Sequence, residues 1–310
     1  SADSFFCFIK YLLNCVTSIV FLAAAILFGG LTNQAGAATY TVDTTSDRAD
    51  VNACTSAPAD CSLYGAVVKA NNNYDRSNTI VFAIPLTSSG CVGGVCTIIV
   101  RKTLKIAPIL SAKSLWISNS SGPTRLIISG NYQTLVVLNE GILTLEGVTI
   151  KNGSSYAYAG GITNTANGRL TLKNSIVTNN SSTGNSTGNA GGIFSEGQLT
   201  VSYSTISNNS TASDGGGIAS HGSLTVNNST ISGNTANNAG GGIYTNSGET
   251  LQYISNSTIS GNTAAQGGGI YNWTKSSSNN LVTLVMQSVT VTNNTATAPG
   301  GLGSNSGGVA

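Results

Sequence analysis

The stretch LTVSYSTISNNSTASDGGGI, residues 199–218, decides the fold, because its three parts recur in order through the second half of the chain. Each unit has an aliphatic segment, a Ser/Thr/Asn-rich stretch and a Gly-Gly-aliphatic step. The aliphatic segments end at Ile150, Val177, Ile206, Ile231, Ile259 and Val291, at intervals of 27, 29, 25, 28 and 32 residues. The Gly-Gly steps end at Ile162, Ile193, Ile218, Ile243, Ile270 and Leu302. A repeat of this length indicates a stacked solenoid.

The spacing inside one unit is that of β-strands. Leu199 and Val201 alternate with Thr200, which is the pattern of a half-buried strand. Ile206 has the opposite parity, so the chain must turn a corner to keep it inside, and Ile218 supplies a third apolar anchor. We therefore predict an all-β, right-handed parallel β-helix (a pectate-lyase-like solenoid), with about three short strands in each coil.

Stacking accounts for the composition. Successive coils lie about 4.8 Å apart, so each side chain meets its counterpart in the next coil and like charges repel. Only 8% of the residues are charged. Asparagines follow the anchors by three residues, and we predict left-handed backbone and amide hydrogen bonds between coils at Asn180, Asn209, Asn234, Asn262 and Asn294. The paired glycines are expected to allow positive φ and a close approach of coils.

The N-terminus has the pattern of a secretory signal peptide. Lys10 precedes the apolar run Leu12–Phe28, and Ala35-Gly36-Ala37 is a small-residue cleavage site. We predict that residues 1–37 are removed and that the mature chain starts at Ala38. An uncleaved membrane anchor is the alternative, because the run is near the lower length limit for a membrane span.

The mature chain is expected to be one elongated domain in two parts. Residues 38–142 form an N-terminal cap and the first irregular coils, and residues 143–310 form the regular repeats. We expect the last repeat to be cut at Ala310. Strand-like runs in the first part are Thr79–Ile84, Thr97–Val100, Leu115–Ser118, Leu126–Ser129 and Thr134–Leu138.

One helix is predicted, as a lid over the open end of the solenoid. Leu63, Ala66, Val67 and Ala70 follow helical spacing, and Asp60 or Ser62 caps the start. An uncovered end exposes apolar core and strand edges, which a lid protects.

Four cysteines remain after the signal peptide: Cys54, Cys61, Cys91 and Cys96. An even number in an exported chain predicts disulfides, for which three pairings are possible. The local pairs Cys54–Cys61 and Cys91–Cys96 are the simplest. A zinc site is the weaker alternative, because no histidine has ligand spacing.

Two motifs resemble known exported proteins. Cys61-Ser62-Leu63-Tyr64-Gly65-Ala66 resembles the Cys-Ser-Leu-Arg-Glu-Ala signature that opens many exported bacterial right-handed parallel β-helix proteins. Tyr64-Gly65 departs from it, at positions expected on the lid surface. The repeats are similar to the Gly-Gly-aliphatic and x-x-Asn repeats of polymorphic outer-membrane proteins and adhesin passengers. The resemblance implies a secreted or cell-surface protein.

The function expected from these features is structural, adhesive or glycan-binding, without evident catalysis. Surface glycans or host and matrix polymers are the expected partners, and no cofactor is expected. Basic residues are scattered, which argues against nucleic-acid binding, and no phosphate loop is present for a nucleotide. Membrane contact is expected only through the signal peptide or a C-terminal anchor beyond the sequence.

The alternative is a polysaccharide lyase or glycoside hydrolase acting on an acidic polysaccharide. Such chemistry needs paired carboxylates, or an acidic calcium cluster with a base. One column combines an acid, a histidine and an aromatic ring: Thr165, Glu196, His221, Asn246 and Trp273. We interpret it as a solvated corner and assign no catalytic, cofactor or metal residue.

Two further sets of residues have weaker functional interpretations. Four acids lie near the lid: Asp43, Asp47, Asp50 and Asp60. One interpretation is a calcium site, although spaced acids before a cysteine are usually surface residues. An outward column forms a hydroxyl surface for glycan or ice, or simply reflects the β-propensity of threonine: Thr144, Thr171, Thr200 and Thr225.

Overall fold

The computed structural model describes residues 37–48, 53–73, 77–107, 113–186, 189–246, 251–273 and 284–298. The chain divides into two compact units, Ser1–Gly36 and Ala37–Ala310, and all described residues belong to the second. The predicted signal peptide lies outside the described residues except for Ala37, which begins the first strand. The last Gly-Gly step, at Leu302, also lies outside them.

The N-terminal part contains one helix and eight strands. They are β1 (Ala37–Val42), α1 (Leu63–Asn72), β2 (Ser77–Phe82), β3 (Cys91–Val92), β4 (Val95–Ile99), β5 (Leu104–Ile106), β6 (Ser114–Ser118), β7 (Leu126–Ser129) and β8 (Val137–Asn139). The five predicted runs all contain strands, with ends shifted by up to three residues. Strands β1, β3 and β5 were not predicted.

Six regular coils follow. The first three comprise β9 (Ile142–Glu146), β10 (Thr149–Lys151), β11 (Ser154–Ser155) and β12 (Ile162–Asn164); β13 (Arg169–Lys173), β14 (Ile176–Thr178), β15 (Ser181–Ser182) and β16 (Ile193–Ser195); and β17 (Gln198–Ser202), β18 (Thr205–Ser207), β19 (Ser210–Thr211) and β20 (Ile218–Ser220). The others comprise β21 (Leu224–Asn227), β22 (Thr230–Ser232), β23 (Thr235–Ala236) and β24 (Ile243–Thr245); β25 (Gln252–Ser255), β26 (Thr258–Ser260), β27 (Thr263–Ala264) and β28 (Ile270–Asn272); and β29 (Leu284–Gln287), β30 (Thr290–Thr292) and β31 (Thr295–Ala296).

Corresponding strands of successive coils form four sheets along the solenoid. Sheet I has the order β1-β2-β6-β9-β13-β17-β21-β25-β29, and sheet II has β3-β4-β7-β10-β14-β18-β22-β26-β30. Sheet III has β11-β15-β19-β23-β27-β31, and sheet IV has β28-β24-β20-β16-β12-β8-β5. Among the described strands, every pair is parallel except the β3–β4 hairpin. The predicted parallel β-helix is confirmed. A complete regular coil has four strands rather than the predicted three or so, and the additional strands are the two-residue strands of sheet III.

The core is a set of aliphatic columns in register. Leu199 pairs with Leu224 in sheet I, and Ile206 pairs with Ile231 in sheet II. These four side chains are at most 1% exposed. Each aliphatic side chain contributes roughly 1.5–3 kcal/mol on burial, before conformational entropy is subtracted. The corner predicted between Val201 and Ile206 is present, since β17 ends before β18 begins.

At the second corner of each coil, between sheets II and III, two adjacent residues have different roles. The first adopts left-handed backbone, as at Asn179 and Asn208, with φ of 54° and 55°. The second forms the amide ladder: Asn209 Nδ2 donates to Asn234 Oδ1 at 3.0 Å. The predicted hydrogen-bond ladder is confirmed, but left-handed backbone at the ladder asparagines is wrong by one residue.

The paired glycines allow successive coils to approach each other closely, because they have no Cβ. A Cβ at Gly217 would lie 2.6 Å from the carbonyl oxygen of Gly242, and one at Gly192 would lie 2.5 Å from that of Gly217. The expected positive φ occurs just before the pair in some coils, as at Gly215 with φ of 67°.

Helix α1 has the predicted cap and buried face. Ser62 Oγ accepts a hydrogen bond from Gly65 N at 3.0 Å, which makes Ser62 the N-cap. The four residues at helical spacing are buried. Gly65 is buried with them, so its expected place on the lid surface is wrong. No helix among the described residues has the length and apolarity of a membrane span.

Two local disulfides close the loops of the cap. Cys54 is bonded to Cys61 and Cys91 to Cys96, so the simplest predicted pairing is the one present. The first bond ties the segment before α1 to the helix start. The second joins the two strands of the β3–β4 hairpin.

Candidate functional site

The predicted acid–histidine–aromatic column exists in the backbone. Its members each follow a strand of sheet IV by one residue. His221 N donates to Ser195 O at 2.7 Å, and Asn246 N donates to Ser220 O at 2.9 Å, so the coils are in register here. Glu196 and Trp273 are exposed at this edge.

The imidazole of His221 is turned into a row of aromatic rings. Its centroid lies 5.2 Å from that of Phe194 and 6.1 Å from that of Tyr244, in edge-on geometry on both sides. Tyr158 extends the row beyond Phe194 at 5.2 Å, and Tyr271 extends it beyond Tyr244 at 5.9 Å. These distances are typical of stabilising aromatic pairs. We call these five residues the aromatic ladder.

Side-chain size explains why a histidine joins the ladder. The middle residues of three sheet IV strands supply rungs, namely Phe194, Tyr244 and Tyr271. In β20 the middle residue is Ala219, which has no ring, and His221 fills the space two residues later. Phe194 and Tyr244 are only 3% and 7% exposed. The ladder is therefore a second small core outside sheet IV.

Burial also sets the protonation of this core. Burial lowers the pKa of His221, although the charges of Glu196 and Asp214 act in the opposite direction. Its Nε2 is buried without a hydrogen-bond partner. Burial, aided by Asp214 and Tyr271, raises the pKa of Tyr244 to about 12. Both rings are therefore neutral at neutral pH, as an aromatic packing role requires.

The catalytic alternative gains no support from this geometry. Glu196 and Trp273 face solvent, whereas the ring of His221 packs between Phe194 and Tyr244. The buried acid of this region, Asp214, accepts a hydrogen bond from Ala239 N at 3.1 Å. An acid, a base and a sugar-stacking ring do not meet on one exposed face.

The acids near the lid accept hydrogen bonds from backbone N–H groups. Asp43 Oδ1 accepts from Cys61 N at 3.0 Å, and Asp47 Oδ1 from Tyr64 N at 3.1 Å. Asp60 accepts from the backbone N–H of Thr55 at 3.1 Å. The fourth acid, at position 50, lies outside the described residues. Within the described ranges, no three His, Cys, Asp or Glu residues are grouped to hold a metal ion.

The threonine column occupies the outward middle position of sheet I. The pairings Thr144–Thr171, Thr171–Thr200 and Thr200–Thr225 are all in register. The same column continues to Trp116 on one side and Tyr253 on the other. We call the six residues from Trp116 to Tyr253 the threonine strip.

Both aromatic ends of the strip are held by hydrogen bonds. Trp116 Nε1 donates to Glu146 Oε2 at 3.1 Å, and the side chain of Trp116 remains 45% exposed. Glu146 Oε1 also pairs with Lys173 Nζ at 2.9 Å, which offsets its charge. At the other end, Tyr253 Oη donates to Gln287 Oε1 at 2.7 Å.

The neighbouring face, on sheet II, also presents hydroxyl groups in register. Its outward positions in the last four coils hold Thr205 and Ser207, Thr230 and Ser232, Thr258 and Ser260, and Thr290 and Thr292. None of these side chains is charged, as expected for columns in which every group meets its counterpart.

The comparisons with known proteins give one local match. A family model, the Chlamydia polymorphic membrane protein repeat, matches residues 203–221. No curated protein and no solved structure matches the chain. The matched segment runs from the corner after β17 to His221 and includes the Asn-Asn corner and the Gly-Gly step. Over this coil, the chain is similar to the polymorphic membrane protein repeat.

Proposed function

We propose that this protein is exported and displayed at a cell surface, where it acts as an adhesin-like β-helix protein that binds neutral glycans along the threonine strip. The match of one coil to a polymorphic membrane protein repeat supports the surface location. The strip carries the binding proposal, because it combines uncharged hydroxyl groups in register with an exposed, oriented tryptophan.

The dimensions of the strip suit an extended sugar chain. Five coil steps separate Trp116 from Tyr253, which corresponds to about 24 Å at the spacing of paired strands. A row of hydroxyl groups offers donors and acceptors at a regular interval to the hydroxyl groups of a polysaccharide. Aromatic rings pack against the apolar faces of sugars and bury area in doing so.

The strip is also rigid before any ligand binds. Each threonine belongs to a strand paired on both sides, and the indole of Trp116 is fixed by Glu146. Because little side-chain freedom remains to be lost, the entropic cost of binding is small. The six side chains of the strip are uncharged, and the cations beside Thr171 already have partners: Lys173 pairs with Glu146, and Arg169 donates to Gln198 Oε1. The strip therefore favours a neutral chain over a charged one.

The test exploits the fact that the chain has only two tryptophans. In Trp273→Phe, Trp116 is the single tryptophan, so its fluorescence reports on the strip alone. Titration with hexamers of neutral sugars, such as cello- and chito-oligosaccharides, is expected to shift this emission for at least one class. Trp116→Ala is expected to weaken binding about 10- to 30-fold, as for a central aromatic contact.

The matched control is Trp273→Ala, which removes the other exposed tryptophan from a different face. Loss of binding in Trp273→Ala but not in Trp116→Ala would place the glycan at sheet IV and contradict the proposal. The enzymatic alternative is checked on the same polymers by a reducing-sugar assay. Turnover that disappears in Glu196→Gln would replace adhesion by catalysis.

A further inference from the structure

A cleft of about 910 Å³ opens beside the cap and shares no residue with the threonine strip. Its walls come from four segments: the loop after β1 (44–48), the approach to β3 (88–90), β4 with the loop that follows it (97–101), and the turn after β7 (131–134). We call it the cap cleft. Its volume is within the range of ordinary ligand sites.

Most of the residues that line the cleft have polar side chains. Hydroxyl and amide side chains dominate it, including Thr45, Ser88, Thr97, Gln133 and Thr134. Ile99 and Val100 are the apolar side chains in the wall, and Val100 is only 2% exposed. Such a lining, with polar side chains beside an apolar wall, suits a ligand that has both hydroxyl groups and apolar faces. It fits a polyol, whose hydroxyl groups match these donors and acceptors.

The charges of the cleft are two guanidinium groups and one carboxylate: Arg48, Arg101 and Asp47. Asp47 is engaged in the fold, since its Oδ1 accepts from Tyr64 N at 3.1 Å and its Oδ2 from Arg101 N at 3.4 Å. The second bond ties the backbone of Arg101 to the loop after β1, and the side chain of Arg101 is exposed. Because both oxygens of Asp47 accept hydrogen bonds from backbone N–H groups, the cation available to an anionic ligand is the exposed Arg101.

We propose that the cap cleft binds an anionic segment of an acidic polysaccharide, with Arg101 pairing with a carboxylate or sulfate group of the sugar. A guanidinium group forms paired hydrogen bonds with such planar or tetrahedral anions. The cleft is much larger than one inorganic anion, and its hydroxyl groups are placed for the rest of the sugar. This site goes beyond the proposed function, because it selects charged rather than neutral glycans.

The experiment is isothermal titration of the full chain with three oligosaccharides of equal length. A galacturonic acid hexamer carries carboxylates, its methyl ester is neutral, and a sulfated hexamer carries sulfate groups. The chain is expected to bind at least one of the two anionic probes in a way that depends on Arg101, whereas any binding of the neutral methyl ester is expected at the threonine strip and is lost in Trp116→Ala. Which of the two binds identifies the anion. Binding is expected to weaken as salt is added, because exposed charge pairs are screened.

Three variants assign the binding to the cleft. Arg101→Ala is expected to weaken binding about 10- to 100-fold, as for the loss of hydrogen bonds to a charged group. Arg101→Lys retains the positive charge without the paired N–H donors of the guanidinium group, and it is expected to lose less affinity than Arg101→Ala. The control is Arg125→Ala, which removes the same charge at a site outside the cleft, where Arg125 Nη1 donates to Gly94 O at 3.3 Å.

Each remaining outcome would overturn the proposal. These are no binding of either anionic hexamer, equal binding of the methyl ester and the anionic hexamers by Trp116→Ala, or equal affinity of Arg101→Ala and Arg125→Ala for the anionic hexamers. Because Arg101 is exposed, its substitution is not expected to unfold the chain, and equal melting temperatures would check this. Trp116→Ala is expected to leave anion binding unchanged, so failure of the strip and failure of the cleft are distinguishable.

Discussion

Asn234→Ala removes the central rung of the asparagine ladder. In the native chain, Asn234 Nδ2 donates to Ile206 O at 3.0 Å and to Asn262 Oδ1 at 2.9 Å. Its Oδ1 accepts from both the backbone N and the Nδ2 of Asn209 at 3.0 Å. The substitution therefore breaks four hydrogen bonds within a site that is 0% exposed.

The magnitude follows from the group left without a partner. Asn209 Nδ2 still donates to Val177 O, and Asn262 Oδ1 still accepts from the backbone N of residue 234. The backbone N–H of Asn209 is left buried and unpaired, which costs about 1–3 kcal/mol. The lost side-chain bonds and the void add about 1 kcal/mol. The free energy of unfolding should therefore fall by about 2–4 kcal/mol.

Guanidinium chloride unfolding, followed by circular dichroism, measures this change in the free energy of unfolding when the variant and the native chain have the same m-value. The matched control is Asn237→Ala in the same coil, where the side chain is exposed, and its effect should stay within about 0.5 kcal/mol. Asn234→Asp keeps the shape but puts an acceptor where the donor was, so it should destabilise at least as much as alanine. Equal midpoints for Asn234→Ala and Asn237→Ala would refute the ladder.

Three other outcomes follow from the structure. Because burial lowers the pKa of His221, the stabilisation by its neutral ring is complete above the ordinary pKa of about 6.5 and is lost as the pH falls below it. Melting curves between pH 7.5 and 5 should therefore show a fall in melting temperature that His221→Phe lacks. An identical fall in that variant would contradict the assignment. Gly217→Ala should lower stability by about 1–3 kcal/mol or more, because its Cβ would lie 2.6 Å from Gly242 O; an unchanged melting temperature would show that the coils are not so close. Mass spectrometry of a non-reduced digest should find Cys54 linked to Cys61 and Cys91 to Cys96, and any crossed pair would exclude this cap.

The sequence predicts those parts of the fold that alternate apolar and polar residues. Sheets I and II follow from segments such as Leu199–Ile206, in which the alternation within each strand and the change of parity at the corner identify the inward side chains. Sheet III has strands such as Ser154–Ser155 and Thr235–Ala236, which are too short to show any alternation. They exist because the coils above and below hold them in register, and that information is spread over the whole array.

At the candidate sites, the sequence predicts the backbone position of a residue but not the orientation of its side chain. Spacing placed Glu196 and His221 in one column, but it does not reveal that the imidazole turns into the ladder. The available signal is Ala219, a small residue between Phe194 and Tyr244 in the next coils. Trp116 was also missed, although aligning Leu115 with Leu143 puts it in the threonine column.

The most direct test of the solenoid is the distance between residues of one column in successive coils. Spin labels can be placed on cysteines at Thr144 and Tyr253, Thr144 and Val285, and Trp116 and Val285, with the cysteines outside the disulfides replaced by serine. These pairs are four, five and six coils apart. Double electron–electron resonance should give about 19, 24 and 29 Å, in equal steps of about 4.8 Å per coil. Distances that do not rise by one such step per coil would contradict the stacked, in-register β-helix.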